Sequence, residues 1–206
     1  MFTTLLDLFA SIATSVIAAT GHAGVFVLML VESAGIPIPS EVIMPFAGFL
    51  TATSRLNFWL VVLTGTSGNL AGSWLAYYIG LKGGRPFIVR FGRYFFLSQH
   101  DLDRAESWFA KRGEITVLVG RLLPVIRTYI SFPAGIAKMD FKKFSFYTLA
   151  GVFPWCLLFM WLGIKLQNNW VLIHTKLAAL DKVILVLIIF VVGLYIWWRR
   201  RKTIKA

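Results

Sequence analysis

The sequence predicts an all-α integral membrane protein with an inverted repeat of two re-entrant helical hairpins. Each hairpin is followed by a transmembrane helix, and the fold adds an N-terminal helix and a C-terminal transmembrane helix. Three observations support it: an apolar composition, long uncharged runs and a motif that occurs twice. Of 206 residues, 58% are hydrophobic and 15% charged, with a mean hydropathy of +0.74. Soluble domains average about 45–50% apolar and about 25% charged residues, so a soluble fold could not hide this apolar surface.

Residues 1–20 are expected to form the N-terminal helix, which lies on the membrane or crosses it. A cleavable signal peptide begins with positive charge. This segment instead carries Asp7 and no lysine or arginine. We therefore do not expect a cleaved leader.

Uncharged runs predict transmembrane helices over residues 56–81, 144–164 and 183–198. A bilayer core needs about 20 apolar residues in a helix, and slightly fewer where aromatic residues flank it. The net charge is +12, but the basic residues lie between these runs, where anionic lipid headgroups attract them. We therefore expect anionic membrane lipids as partners and no nucleic acid.

Residues 25–51 and 115–137 are apolar but interrupted, and each is expected to form a re-entrant hairpin. Proline removes a helical hydrogen bond and clashes with the preceding turn. Such broken backbone is tolerated at membrane depth only where protein or water surrounds it. The expected hairpin-breaking residues are Pro37, Pro39, Pro45 and Gly48 in the first segment and Pro124, Pro133 and Gly135 in the second.

The two interrupted segments share a motif. Pro45-Phe-Ala-Gly48 corresponds to Phe132-Pro-Ala-Gly135, 87 positions later. The same offset carries the run 56–81 onto the run 144–164. Interrupted segments at matching places in two halves indicate a transporter site at the repeat interface.

The distribution of Lys and Arg predicts a cytoplasmic C-terminus. With the basic tail 199–206 inside, the cytoplasmic side also holds the connections 82–114 and 138–143, which gives fifteen basic residues inside against four outside. This asymmetry follows the positive-inside rule and makes the two hairpins enter from opposite sides. Within 82–114, an amphipathic helix that begins near Ser98 is expected to lie on the membrane interface or against a partner.

Two arginines inside the second hairpin are the main candidates for function. An arginine at mid-bilayer costs about 2.5–3.5 kcal/mol, and a guanidinium binds phosphate oxygens bidentately. Arg121 and Arg127 are therefore candidate phosphate ligands, and Glu32 and Glu41 are candidate proton-exchanging groups or counter-ions. The alternatives are a structural ion pair among the four, snorkelling of the arginines to the membrane interface, and, for Glu41, a place at the outer water interface. Accessory polar candidates are Asn69, Thr128 and Ser131.

The remaining reactive residues suggest no cofactor. Cys156 is the one cysteine, and the three histidines are scattered, so neither a metal site nor a nucleophilic catalytic set is expected. A stripe of small residues from Gly68 to Gly80 predicts close helix packing. It can lie within one chain or between chains, so a homo-oligomer stays open.

These motifs resemble those of the DedA membrane proteins. Glu32-Ser-Ala-Gly-Ile-Pro-Ile-Pro-Ser-Glu41 with Pro45-Phe-Ala-Gly-Phe is similar to the first signature. Gly120-Arg-Leu-Leu-Pro-Val-Ile-Arg127-Thr with Pro133-Ala-Gly135 is similar to the second. The resemblance covers residues 20–165. The family shares its domain with eukaryotic SNARE-associated Golgi and vacuole-membrane proteins, which are lipid scramblases.

The resemblance implies proton-coupled flipping of undecaprenyl phosphate from the outer to the inner leaflet of the bacterial cytoplasmic membrane, for recycling in cell-envelope synthesis. It also implies that Glu32 and Glu41 are the family's acidic pair and that Arg121 and Arg127 are its arginine pair. Glu41 stands at a shorter spacing than the aspartate of other members. Asn69 occupies a position that is often acidic.

Other functions stay open. A phosphatidylethanolamine or general phospholipid flippase or scramblase would use the same phosphate site, and a proton-coupled ion or drug antiporter would use the same charges. A lipid phosphatase would need a base beside Thr128, Tyr129 or Ser131, and no histidine is near them in the sequence. We therefore expect a transporter and not an enzyme.

Overall fold

The computed structural model describes residues 2–36, 40–84, 86, 99–123 and 126–165, and within these ranges the chain is helical without strands. This confirms the all-α class. The predicted helix 183–198, the basic tail, and Pro37, Pro39 and Pro124 lie outside the described residues. The helices are α1 (Phe2–Thr20), α2 (His22–Ser33), α3 (Ser40–Ala52), α4 (Phe58–Ile79), α5 (Gln99–Leu122), α6 (Ile126–Tyr129), α7 (Ser131–Ile136) and α8 (Phe141–Lys165), with a π-helical turn (Gly80–Gly84) after α4.

Local sequence explains several of the helix ends. The α2 helix stops before Gly35, whose φ of 112° is a conformation that glycine adopts without steric cost. Asn57 caps α4 by accepting a hydrogen bond from the backbone N–H of Leu60 (3.2 Å). Asp140 accepts one from the N–H of Lys143 (2.9 Å) in the first turn of α8.

The α5 helix joins two segments that the sequence analysis separates at residue 114. It continues from Gln99 to Leu122 with non-helical backbone at Arg112 (φ −137°, ψ 16°). Trp108 and Thr116 lie on either side of this kink, and the indole N–H donates to the Thr116 hydroxyl (2.9 Å). The Arg112 guanidinium lies 5.2 Å from the Trp108 ring.

Pro45, Gly48, Pro133 and Gly135 do not interrupt helices, contrary to the expectation for these four residues. Pro45 and Gly48 lie inside α3, and Pro133 and Gly135 lie inside α7. Pro133 is the third residue of α7, in the first turn, where a missing N–H costs little. Proline inside α3 is tolerable because neighbouring helices surround it. In the first segment, the described break falls at Ala34–Gly35.

Glycines bring the short helices onto the backbones of the long ones. A Cβ on Gly48 would meet the backbone of Met160 in α8, and one on Gly163 would meet that of Pro45 in α3. The other short helix makes the same kind of contact with α4. There, a Cβ on Gly135 would meet the backbone of Tyr77. Each motif glycine therefore packs on the long helix of the other half of the sequence.

The α8 helix is the one helix in the described ranges that is long and apolar enough to cross a membrane, judged by length and composition. The α4 helix is 22 residues long, but its buried face includes small and polar residues such as Gly65, Thr66, Gly68, Asn69, Gly72 and Ser73. Large apolar side chains of both helices point outwards, among them Trp59, Leu63, Phe146, Leu158 and Trp161. Both helices thus have an apolar outer face, and the buried face of α4 is rich in small and polar residues.

Candidate functional site

Among the described residues, four charged side chains lie in the interior and are here called the charged cluster: Glu32, Glu41, Arg121 and Arg127. They come from α2, α3, α5 and α6 respectively. The Arg127 guanidinium is at its centre, because its Nη2 lies 3.4 Å from Glu32 Oε1 and 3.5 Å from Glu41 Oε1. The side chains of Arg127 and Glu32 are 6% and 3% exposed, and that of Glu41 is 12% exposed. Glu41 is therefore the carboxylate closer to the surface.

Glu32 is held by hydrogen bonds at both oxygens. Oε1 accepts from the Thr128 hydroxyl (2.9 Å) and from Arg127 (3.4 Å). Oε2 accepts from the Ser33 hydroxyl (2.9 Å) and from the Asn69 amide (3.2 Å). A buried carboxylate is tolerable when its oxygens have such partners. Asn69 stands at the position that is often acidic in the family that the sequence resembles, and its amide donates to Glu32.

Arg121 has a different environment, since its hydrogen-bond partners among the described residues are neutral groups. Its Nη1 donates to the backbone carbonyl of Arg127 (2.9 Å). Its Nη2 donates to three hydroxyls, here called the hydroxyl cluster: Ser73 (2.8 Å), Ser131 (2.6 Å) and Thr148 (3.4 Å). Arg121 is 2% exposed, and its Nε has no hydrogen-bond partner among the described residues. Its positive charge is therefore solvated by hydroxyl and carbonyl dipoles.

The two arginines can act differently on an anion. Arg127 is already shared by two carboxylates at distances beyond 3.2 Å, the usual upper end for an N–H···O bond. An anion that binds Arg127 must therefore compete with Glu32 and Glu41. Arg121 lies beside it without a carboxylate ligand in the described ranges. When all four groups are ionised, the charged cluster is neutral.

The sequence candidates Glu32, Glu41, Asn69, Arg121, Arg127, Thr128 and Ser131 all lie in or next to this cluster. The sequence analysis missed Ser73 and Thr148 and assigned no role to Trp155. Spacing could have indicated them: Ser73 follows Asn69 by one helical turn, and Thr148 and Trp155 are seven residues apart on one face of a helix. The Trp155 ring lies 4.7 Å from the Arg127 guanidinium carbon.

The described residues contain no group of three or more His, Cys, Asp and Glu side chains that could hold a metal ion. Cys156 lies at the edge of the charged cluster and is buried with a free thiol. The chemistry that the site offers is therefore that of two guanidinium groups, two carboxylates and several hydroxyls.

Comparison with known proteins gives one family. The VTT domain matches residues 38–165, which is more than half of the chain. A Bacillus subtilis protein named undecaprenyl phosphate transporter A is 34% identical over 184 residues, which cover 89% of this chain and 91% of that protein. The Staphylococcus aureus protein of the same name is 32% identical, with coverage of 88% and 91%. A Lactococcus lactis protein named alkaline phosphatase-like is 35% identical, with coverage of 88% of both chains. No solved structure matches the chain.

Proposed function

The chain belongs to the VTT domain (DedA) family of membrane proteins, and on this premise we propose that it transports undecaprenyl phosphate across the bacterial cytoplasmic membrane. The charged cluster is the observation that carries the proposal, because two buried arginines offer a phosphate site inside an apolar helical protein. Two relatives named undecaprenyl phosphate transporter A support the choice of lipid.

The proposed topology is an inverted repeat of two re-entrant hairpins, with the C-terminus in the cytoplasm. The crossed glycine contacts support the repeat, since Gly48 packs on α8 as Gly135 packs on α4. A two-fold relation between halves would produce such an exchange of partners. In this arrangement the charged cluster lies where the two hairpins meet, as in transporters built from inverted repeats.

In the proposed mechanism, the carboxylates and the phosphate compete for Arg127, and protonation of the carboxylates favours the phosphate. Protonation of Glu32 and Glu41 removes two negative charges, which leaves Arg121 and Arg127 to hold the phosphate headgroup while the polyprenyl tail stays in lipid. Deprotonation restores the carboxylates at Arg127 and displaces the phosphate. Uptake from the outer leaflet and release at the inner leaflet would then be driven by the inward proton gradient.

The test is flipping of fluorescent polyprenyl phosphate in proteoliposomes, with and without a pH gradient. We expect Arg127→Ala to abolish flipping, because the central guanidinium is lost. Glu32→Gln and Glu41→Gln should retain some flipping but lose its dependence on the gradient. Matched controls are Arg55→Ala and Glu114→Gln, which remove the same charges outside the cluster. Wild-type flipping that survives Arg127→Ala would refute the proposed site.

The same proteoliposome assay distinguishes the alternative functions. Equal flipping of phosphatidylethanolamine and polyprenyl phosphate would indicate a general scramblase. Proton movement driven by other ions, without lipid movement, would indicate an antiporter. The name of the Lactococcus relative makes a lipid phosphatase the second candidate, and release of inorganic phosphate from the labelled lipid would identify it.

A further inference from the structure

Trp155 lies beside the charged cluster in a fixed orientation. The Arg127 guanidinium carbon lies 4.7 Å from its ring centre, within the range of a cation–π interaction. The ring of Phe159, one turn later in α8, lies 4.7 Å from it at an interplanar angle of 37°. These contacts with Arg127 and Phe159 restrict how the indole can rotate.

The indole N–H of Trp155 is buried and has no hydrogen-bond partner among the described residues. Two other indoles, which are more exposed, have partners for their N–H groups. The N–H of Trp74 donates to Ser145 (2.9 Å), and the N–H of Trp108 donates to Thr116 (2.9 Å). A buried tryptophan usually finds a partner for its N–H, because leaving a buried donor unpaired is costly. Trp155 thus carries an unused donor on the ring that Arg127 contacts.

We propose that Trp155 is a substrate-binding residue whose indole N–H donates a hydrogen bond to a phosphate oxygen of the lipid headgroup held by Arg127. This inference rests on the proposed function and adds a neutral donor to the two arginines. Because the donor is neutral, it strengthens phosphate binding without changing the net charge of the site. It also favours a headgroup that presents an unesterified oxygen over a neutral alcohol.

The main test replaces Trp155 with phenylalanine, which keeps an aromatic ring for Arg127 and Phe159 but removes the N–H. Loss of a hydrogen bond to a charged group should raise the apparent KM for polyprenyl phosphate about 10-fold or more. We expect kcat to change little, because the bond exists throughout the bound state. The matched control is Trp161→Phe, on the same helix but with an exposed ring.

Thermal unfolding in detergent distinguishes binding from structure. Without lipid, a fall in the Tm of Trp155→Phe should reflect the smaller ring alone, since the N–H makes no hydrogen bond among the described residues. Farnesyl phosphate should stabilise the wild type more than this variant, and farnesol should stabilise neither. Inorganic phosphate is a separate arm, because stabilisation by it to the same extent would assign the donor to free phosphate and overturn the lipid assignment.

A second variant guards against loss of packing. Incorporation of benzothienylalanine at position 155 replaces the N–H with sulfur at nearly unchanged shape, so its KM should rise as for phenylalanine. Wild-type KM in both variants would overturn the role of Trp155. If Arg127→Ala still abolishes flipping in that case, the proposed function stands. If the wild type neither binds nor flips polyprenyl phosphate, both proposals fail.

Discussion

Two glycine substitutions, Gly163→Ala and Gly135→Ala, test the close packing of the short helices on the long ones. A Cβ at Gly163 would lie 2.7 Å from both the carbonyl carbon and the Cα of Pro45, and closer still to its oxygen. A Cβ at Gly135 would lie 2.9 Å from the carbonyl carbon of Tyr77 and 3.0 Å from the nitrogen of Leu81. These are backbone atoms, so a rotamer change cannot relieve the overlap.

The expected loss of stability follows from two opposing effects. Overpacking costs about 1–3 kcal/mol, whereas alanine gains about 0.5–1 kcal/mol over glycine in a helix. The net cost should be about 0.5–2 kcal/mol at each site, since a backbone oxygen is the nearest atom at both and lies at a similar distance. For a chain of this size, 1 kcal/mol corresponds to about 2–4 °C in Tm. We therefore expect Tm to fall by about 1–8 °C for each variant.

Thermal unfolding of the purified protein in detergent measures the effect, with Gly83→Ala as the control. Nothing lies within 4 Å of a Cβ at Gly83, so this variant should match or slightly exceed the wild-type Tm. Gly163→Ala should also slow lipid flipping beyond its effect on stability, because a shift of α3 moves Glu41 relative to Arg127. Tm values for Gly163→Ala and Gly135→Ala equal to that of Gly83→Ala would refute the close contacts.

Two further predictions concern hydrogen bonds. Ser131→Ala removes the 2.6 Å acceptor of Arg121 and should lower Tm by about 3–12 °C, since such charged bonds are worth about 1.5–3 kcal/mol. Thr148→Val removes an acceptor at 3.4 Å and should cost clearly less in the same unfolding assay; the reverse order would contradict this geometry. On the predicted cytoplasmic side, the hydrogen bond from Lys143 lowers the pKa of Glu114. Its stabilising effect should be present above the ordinary pKa of about 4.3 and disappear as the pH falls through the lower folded-state value. The Tm difference between wild type and Glu114→Gln should therefore shrink as the pH is lowered below that ordinary value, and a difference independent of pH would contradict the assignment.

Composition was enough to predict the helical membrane class. So apolar a chain lies in a membrane, where helices satisfy the hydrogen bonds of the backbone within one segment. The sequence also indicated which charges would be buried, since Arg121 and Arg127 stand in an apolar segment. It also indicated Glu32 and Glu41 as ion-pair partners, but it did not indicate how the partners divide between the two arginines. The hydroxyls of Ser73 and Thr148 come from α4 and α8, far from Arg121 in the chain, and serine and threonine are common in helices of every environment. That Arg127 takes both carboxylates and Arg121 takes none depends on packing in three dimensions.

The prolines show a second limit of prediction from sequence. The sequence analysis treated Pro45 and Pro133 as points where a helix breaks, because an isolated helix loses a hydrogen bond there. In the structure both lie within helices, and the glycines beside them make the contacts with α8 and α4. The motif that repeats in the two halves is therefore a packing motif. Its two copies are alike because each meets a long helix at close range.

The division of partners between the arginines gives substrate binding a way to move the protein. Arg127 belongs to the second broken segment, and its carboxylates belong to the first, so the ion pairs join the two segments. In the proposed mechanism, a phosphate that takes Arg127 from Glu32 and Glu41 would remove these ion pairs as it binds. Arg121 would keep its hydrogen bonds to the hydroxyl cluster and to the Arg127 carbonyl during this exchange. These bonds would hold the parts of the second segment in place. A ligand shifts a conformational equilibrium only through contacts that differ between states. Here the ion pairs between the segments would supply that difference, because phosphate and carboxylates compete for one guanidinium.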